Sequence, residues 1–298
     1  MNSNIKISML GGDLRQLAVA QRLAERYDNI NVWGLSTAAP RQSGVRELSD
    51  LREATEGADV ILLPLPVSVD AVSLNCPLAD VTERPRLSAI AEQVREGALV
   101  IGGKIPEGFV RSAERRGLLL RDYFESEDFQ IKNAYTTAEA ALSIAMNTLD
   151  KNIRGSRVAI TGYGRISKHL CSLLMAIGAR VTVAARRESD ISFAESLGCE
   201  TEKIREGSDW WRALAHGYDV IYNTVPTWIF GRGFLSAVDK STFIVDLASA
   251  PGGVDIRAAK ELGSNVSWAT SLPGKYAPRS AGEIIANCVL RIIEEVGV

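Results

Sequence analysis

Residues 157–167 read Arg157-Val-Ala-Ile-Thr-Gly-Tyr-Gly-Arg-Ile-Ser167, and this stretch decides the fold. Apolar and small residues lead into Gly162-x-Gly164-x-x-Ser167, and a helix-patterned segment follows at 168–177. Strand, tight turn and helix with glycines at this spacing form the dinucleotide fingerprint, in which the first glycine permits the turn and the second admits a pyrophosphate. Ser167 replaces the usual third glycine with another small residue. The stretch therefore predicts a nucleotide site, the alternative being an ordinary strand-turn-helix that binds nothing.

A second strand, 180–185, completes a βαβ unit of about 30 residues. It ends at Arg186 and Arg187, where an NAD site normally carries an acidic residue. A guanidinium matches the geometry of a 2′-phosphate, so NADP is favoured over NAD, which stays possible. The alternative is that one or both arginines are only solvated.

Two further strands, 219–226 and 242–249, end in small or polar residues that we expect at the nicotinamide half of the cofactor. The residues expected to bind the cofactor, besides the two arginines, are Gly162, Tyr163, Gly164, Arg165, Ile166, Asn223, Thr224, Val225, Pro226, Leu247, Ala248 and Ser249.

The amino-terminal half predicts a second sheet of the same kind. A strand at 5–10 runs into Gly11-Gly12-Asp13, and a helix at 14–27 and a strand at 30–35 follow. Continuous apolar runs at 59–66 and 98–101 are typical of buried parallel strands. Asp13, Arg15 and Lys104 come at strand carboxyl ends, where α/β sheets bind ligands. Helix capping by Asp13 and solvation of the two cations are the alternatives.

Residues 127–149 lack proline and glycine and predict a long helix, with an irregular start near 133–137. Thr137 and Glu139 on it are expected to face a cleft between domains. Residues 272–280 predict a loop before a terminal helix at 281–296, and Lys275, Arg279 and Ser280 are placed to bind a carboxylate at that helix start. A connector with solvated cations is the alternative.

We therefore predict an α/β fold of two Rossmann-like parallel-sheet domains with a cleft between them, joined by a long helix and a terminal helix. Residues 1–135 with 281–298 would form a domain that binds the substrate and a partner subunit. Residues 136–280 would form the NADP-binding domain.

Composition excludes several classes. The 298 residues are 46% hydrophobic and 23% charged, with a formal net charge of −2, which gives no reason to expect nucleic acid or an anionic membrane as partner. No run spans a bilayer and the start lacks a signal-peptide pattern, so a cytoplasmic protein is expected. Four dispersed cysteines and two histidines favour neither a metal site nor a Ser-His-Asp triad.

Several motifs together resemble the family of dipicolinate synthase A-subunits. They are Leu10-Gly-Gly-Asp-x-Arg-Gln16, Gly162-x-Gly-Arg-Ile-Ser167, Asn223-Thr-Val-Pro226, Asp246-Leu-Ala-Ser-x-Pro-Gly-Gly253 and Leu272-Pro-Gly-x-x-Ala-Pro-Arg-Ser-Ala-Gly282. The resemblance implies NAD(P)-dependent oxidation of dihydrodipicolinate to dipicolinate, together with the flavoprotein-like B-subunit of dipicolinate synthase, in the mother cell of a sporulating bacterium.

A pyridine dicarboxylate needs two cationic anchors, and the sequence offers Arg15 with Lys104 and Lys275 with Arg279. Glu139 or Asp13 could accept the proton that leaves the ring. Two other interpretations stay open: a non-catalytic NADP-binding partner of the B-subunit, and an amino-acid dehydrogenase that resembles alanine dehydrogenase. A homo-oligomer also stays open.

Overall fold

The computed structural model describes residues 5–35, 43–205, 207 and 209–298. The chain divides into two compact units. The first unit comprises Met1–Asn133 and Pro273–Val298, and the second comprises Ala134–Leu272.

The first unit contains a six-stranded sheet in the order β3-β2-β1-β4-β5-β6, and every neighbouring pair is parallel. The strands are β1 (Ile7–Leu10), β2 (Ile30–Trp33), β3 (Val45–Leu48), β4 (Val60–Leu62), β5 (Leu99–Gly102) and β6 (Leu119–Asp122). The four central strands are buried along their whole length, because helices cover both faces of the sheet.

The helices of the first unit are α1 (Arg15–Leu23), α2 (Leu51–Thr55), α3 (Leu87–Gln93), α4 (Glu107–Arg115) and the terminal helix α11 (Pro278–Val296). Helix α11 packs directly on α1. A Cβ built on Gly282 would lie 2.3 Å from the carbonyl oxygen of Arg15, so the two backbones meet where only glycine fits.

Helix α5 (Glu127–Thr148) runs from the first unit into the second. It is continuous through 133–137, so the predicted irregular start is wrong. The segment holds no helix breaker, and Thr136 and Thr137 are buried within the helix, where packing outweighs the modest helix penalty of β-branched residues.

The second unit contains another six-stranded parallel sheet, in the order β12-β11-β10-β7-β8-β9. The strands are β7 (Arg157–Thr161), β8 (Arg180–Ala185), β9 (Glu200–Lys203), β10 (Val220–Asn223), β11 (Phe243–Asp246) and β12 (Val266–Trp268). The helices are α6 (Arg165–Ala176), α7 (Glu188–Ser196), α8 (Arg232–Ala237) and α9 (Ile256–Leu262). The predicted fold class, two Rossmann-like α/β sheets, is confirmed.

The segment predicted as a loop at 272–280 is mostly helical. Helix α10 covers Leu272–Tyr276, and α11 begins at Pro278 rather than at residue 281. Proline is favourable at the first helical position because its missing N–H has no acceptor there and its φ is already helical. Arg279 and Ser280 therefore lie in the first turn of α11.

Within the described ranges, none of the helices combines the length and apolar character that a membrane crossing needs.

Candidate dinucleotide site

A cavity of about 650 Å³ opens at the carboxyl edge of the second sheet. The chain proceeds from β7 to β8 and β9 on one side and then returns to place β10 on the other side of β7, so the strand order reverses between β7 and β10. Residues that follow β7, β8 and β10 line the cavity. Ligands of open α/β sheets bind at such a reversal point.

The glycine loop has the two properties that the fingerprint requires. Gly162 has φ +84°, and a Cβ there would lie 2.7 Å from Oγ1 of Thr224. Gly164 caps α6 with φ −86°, and a Cβ there would meet no atom within 4 Å. The space in front of Gly164 and the first N–H groups of α6, which lack acceptors within the helix, suit a pyrophosphate.

Ser167 fits the third position through its hydroxyl. Its Oγ lies 2.9 Å from Oγ1 of Thr224, which in turn donates to the carbonyl of Thr161 at 2.8 Å. Ser167 is fully buried, so a serine can tie α6 to β7 and β10 where a glycine would only permit close packing.

Three guanidinium groups line the cavity after β8 and β9: Arg186, Arg187 and Arg205. Arg187 is 72% exposed in its side chain and donates to both oxygens of Asp190, at 2.7 and 2.9 Å. The hydrogen bonds and the charge of Asp190 raise the pKa of Arg187. Among the described residues that line this end of the cavity, one carboxylate, that of Asp190, accompanies the three guanidinium groups.

Arg205 was not predicted as a site residue, because β9 was not foreseen and its carboxyl end could not be assigned to the sheet. Trp210 and Trp228 also line the cavity, and Trp228 is 67% exposed. Trp228 comes two residues after the Asn223–Pro226 motif, and a tryptophan so close to the end of a predicted strand was the available signal.

Asn223 is buried. Its side chain stabilises the wall of the cavity through hydrogen bonds and is not among the described lining residues. Its Nδ2 donates to Oδ1 of Asp246 at 2.7 Å, and its Oδ1 accepts from Thr161 at 2.7 Å and from the N–H of Val225 at 3.0 Å. These bonds fix the chain that leaves β10, and the lining residues Thr224, Val225 and Pro226 belong to it.

The remaining predicted cofactor residues lie near strand ends but do not line this cavity. Arg165 and Ile166 form the first turn of α6. Leu247 and Ala248 are buried after β11, and Ser249 is exposed.

In the first unit, Asp13 and Arg15 form a partly buried ion pair after β1. Nε and Nη2 of Arg15 donate to the two oxygens of Asp13, at 2.9 and 2.8 Å, and Nη2 also donates to the carbonyl of Leu65. Arg15 is 8% exposed. The pair joins the ends of β1 and β4, the two strands between which the first sheet reverses its order.

Lys104 follows β5 and is exposed, with φ +56°, a conformation that side chains rarely adopt. Its N–H and that of Ile105 donate to the carboxylate of Asp122 at 3.1 and 2.8 Å, and its Nζ lies 4.5 Å from the ring centroid of Phe124. Such strain concentrates at functional sites.

The other candidates are divided between the units. Thr137, buried, and Glu139, exposed, lie on α5 in the second unit. Lys275 and Ser280 are exposed in the first unit. Arg279 in the same unit donates to Glu283 at 3.0 Å.

Among the residues that the structure describes, no three His, Cys, Asp or Glu side chains gather as metal ligands would.

The fold and the cavity define the class: a chain of two Rossmann-like units, one of which carries the glycine loop of dinucleotide-binding proteins. The same fold occurs in a solved L-alanine dehydrogenase, with a TM-score of 0.65 over 97% of this chain and 89% of that one, at 12% identity.

Residues 6–124 match the model of the N-terminal domain of the dipicolinate synthase A-subunit. The dipicolinate synthase A-subunit of Bacillus subtilis is 28% identical over 301 residues, which cover 99% of this chain and 98% of that protein. The crystal structure of the dipicolinate synthase A-subunit from Bacillus halodurans has a TM-score of 0.85 at 26% identity, over 97% of both chains. Along its whole length the chain is thus similar to the dipicolinate synthase A-subunit, and the resemblance predicted from its motifs is confirmed.

Proposed function

We propose that this chain is an NAD(P)-dependent oxidoreductase that oxidises dihydrodipicolinate to dipicolinate. One observation carries the proposal: a cavity with a dinucleotide glycine loop lies in a chain related over its full length to the dipicolinate synthase A-subunit. The two units then have the roles expected from the sequence. Residues 1–135 with 281–298 would bind the substrate and the second subunit, and residues 136–280 would bind the cofactor.

The residues of the cavity fit a dinucleotide. The backbone of Gly162–Gly164 and the first N–H groups of α6 would hold the pyrophosphate, and the chain from Thr224 to Pro226 would border the nicotinamide. Leu247, Ala248 and Ser249 would close the same end from β11. When bound, the cofactor supplies the hydride acceptor, and the protein supplies position and charge.

We propose NADP as the preferred form. Arg186 and Arg205 add positive charge where a 2′-phosphate would lie, and Arg187 is held nearby by Asp190. A guanidinium binds phosphate oxygens with charge-assisted hydrogen bonds. NAD lacks the phosphate and would gain nothing from these groups.

For the substrate, we propose that Lys104 and Arg15 bind one carboxylate and that Lys275, Arg279 and Ser280 bind the other, with Thr137 as a further contact. Asp13 fixes the orientation of Arg15, so this guanidinium would lose little freedom on binding. The first turn of α11 adds N–H donors beside Arg279 and Ser280.

We propose Glu139 or Asp13 as the group that accepts the ring proton. Glu139 is exposed and Asp13 already accepts from Arg15. Glu139→Gln separates them, because loss of the true acceptor lowers kcat while the affinity for NADP stays unchanged, whereas Asp13→Asn would also disturb Arg15.

We also propose that the protein works with a flavoprotein-like B-subunit in the cytoplasm of a sporulating mother cell. The names of the relatives, which denote one component of a synthase, support this arrangement.

The experiment is to supply freshly generated dihydrodipicolinate with NADP or NAD, with and without the purified B-subunit. We expect reduced cofactor and dipicolinate to form in equal amounts. Product that forms only with the B-subunit, without reduction of added cofactor, would instead indicate a non-catalytic nucleotide-binding partner. Turnover of alanine with NAD but not of dihydrodipicolinate would indicate an amino-acid dehydrogenase.

A further inference from the structure

Two buried cysteines meet in the core of the second unit, outside the cavity. The Sγ atoms of Cys171 and Cys199 are 3.1 Å apart. The Sδ of Met175 lies 3.3 Å from Cys199 and 3.8 Å from Cys171. Cys76 and Cys288, the other two cysteines, are buried in the first unit.

The sequence builds this pair from two neighbouring elements. Cys171 and Met175 are four residues apart on α6 and therefore share one face of that helix. Cys199 follows Gly198, which has φ +88° and turns the chain from α7 into β9. The turn brings Cys199 onto the face of α6 that carries Cys171.

The two thiols are not equivalent. A hydrogen bond links the two sulfurs; it lowers the pKa of Cys199, and together with burial it raises the pKa of Cys171. Burial raises the pKa of both Cys76 and Cys288. Since the thiolate is the reactive form and Cys199 is the more exposed of the two side chains, Cys199 is the nucleophile of the pair.

The pair adjoins the back of the glycine loop. The ring of Tyr163, between Gly162 and Gly164, packs in the same hydrophobic cluster as Cys171 and Cys199. Tyr163 is 4% exposed, and its hydroxyl has no hydrogen-bond partner among the described residues. Burial, followed by the two thiols and Asp190, raises the pKa of Tyr163 to about 12.

We propose that Cys171 and Cys199 form a reversible disulfide, a modification site behind the nucleotide loop. The Cys199 thiolate attacks a small-molecule disulfide, forms a mixed disulfide and releases one thiolate. Cys171 then loses its proton and displaces the second thiolate from Cys199. In balance, two protein thiols are oxidised to one disulfide, and the small disulfide is reduced to two thiols that take up the two protons.

Cys199 is the accessible member of the pair. It is 7% exposed, it follows the exposed Gly198, and the half-buried Met175 side chain lies beside it. Cys171 is fully buried, so it serves as the resolving thiol.

The disulfide changes the loop. A disulfide sulfur pair is about 2.05 Å apart, so the two sulfurs must approach each other by about 1 Å. That movement draws α6 toward the start of β9 and shifts the packing behind Tyr163. We expect the oxidised protein to bind its dinucleotide several-fold more weakly, a consequence that rests on the proposed function.

The first test maps the disulfide after equilibration with increasing ratios of an oxidised to a reduced small thiol. Intact mass should fall by two hydrogen atoms, and peptide mapping should join Cys171 to Cys199. The Cys76→Ser/Cys288→Ser double variant should form the disulfide as wild type does. Either Cys171→Ser or Cys199→Ser should abolish the disulfide. Mapping of the wild type alone decides the matter if a variant fails to fold: two free thiols at every ratio overturn the proposal.

The second test compares dinucleotide affinity in reduced and oxidised wild type. A several-fold loss that a reducing thiol reverses, and that the Cys199→Ser variant lacks, supports the link between the thiols and the loop. Equal affinity of the two forms overturns that link. If neither form binds a dinucleotide, the proposed function fails, and the disulfide map still decides the proposal on the thiols.

Discussion

The carboxylate of Asp246, in the second unit, accepts four hydrogen bonds. It is fully buried, and one oxygen accepts from Asn223 at 2.7 Å and from the N–H of Ala248 at 3.2 Å. The other oxygen accepts from the N–H groups of Gly253 and Val254 at 2.9 and 3.2 Å. It thereby joins the ends of β10 and β11 to the turn at 251–253.

We predict that Asp246→Asn destabilises the protein by about 3 kcal/mol, because the new amide group would direct its own hydrogens at two buried donors. Denaturant unfolding of the second unit measures the change. Asp255→Asn is the matched control, since Asp255 caps α9 through the N–H of Ala258 and asparagine caps equally well. If Asp246→Asn and Asp255→Asn were equally stable, the hydrogen bonds of Asp246 would not stabilise the fold as proposed.

The arginines after β8 decide the choice of cofactor in the proposed function. Replacing both Arg186 and Arg187 with alanine should weaken NADP binding about 10- to 100-fold, equivalent to about 1.4 to 2.8 kcal/mol, and leave NAD binding nearly unchanged. Titration of both cofactors against wild type measures the ratio. Arg257→Ala, which removes an exposed arginine from α9, should alter neither affinity. An unchanged ratio in the double variant would remove the assignment of NADP.

Residue patterns predicted the glycine loop but not the hydrogen bonds that hold it in place. The spacing of Gly162 and Gly164 was sufficient for the turn, and Ser167 stood out as a departure from the fingerprint. The hydroxyl of Ser167 forms a hydrogen bond with Thr224, which lies 57 residues further along the chain. A hydrogen bond between residues so far apart leaves no signal in a single sequence. Arg205 was not predicted as a lining residue because it follows strand β9, which the sequence did not predict.

Helices α1 and α11 make a close backbone contact in the first unit. A Cβ on Gly282 would lie 2.3 Å from the carbonyl oxygen of Arg15 and 2.8 Å from the Cβ of Ala18. The two backbones can approach this closely only because residue 282 lacks a side chain.

We predict that Gly282→Ala costs about 3 kcal/mol of the free energy of unfolding, because α11 must move away from α1. Gly108→Ala is the control: Gly108 lies in α4 with open space around its Cα, so alanine should be neutral or slightly stabilising there. Thermal or denaturant unfolding of both variants decides. A Gly282→Ala protein as stable as the control would contradict the close packing.

The two strands that sequence reasoning missed, β3 and β9, share a physical cause. Strand β3 reads Val-Arg-Glu-Leu and β9 reads Glu-Thr-Glu-Lys, and both lie at sheet edges where little side-chain burial is required. Without an apolar run, such strands do not differ from loops in their sequence. The buried central strands were predicted because burial on both faces imposes a continuous apolar pattern.

Across the full chain, the sequence was sufficient for two Rossmann-like sheets and for the family resemblance. It was not sufficient to decide which lysine and arginine side chains already donate hydrogen bonds to other groups of the protein. Arg15, predicted as a substrate anchor, donates to Asp13 and Leu65, and Arg279 donates to Glu283. Such pairings depend on side-chain geometry that no spacing rule contains.

The proposed function depends on one claim, that the glycine loop of the second unit holds a dinucleotide pyrophosphate. Gly164→Ala tests it sharply, because φ is −86° and no atom lies within 4 Å of the added methyl group, so the fold should tolerate the change. The same methyl group would occupy the space in which the pyrophosphate approaches the backbone.

The measurement is calorimetric titration of NADP and NAD into wild type and Gly164→Ala, with equal unfolding curves as evidence of intact folding. We predict that wild type binds a dinucleotide and that the variant binds it at least about 30-fold more weakly, a loss of about 2 kcal/mol. Folded wild type that binds neither cofactor, or a variant that binds as tightly as wild type, would contradict the claim.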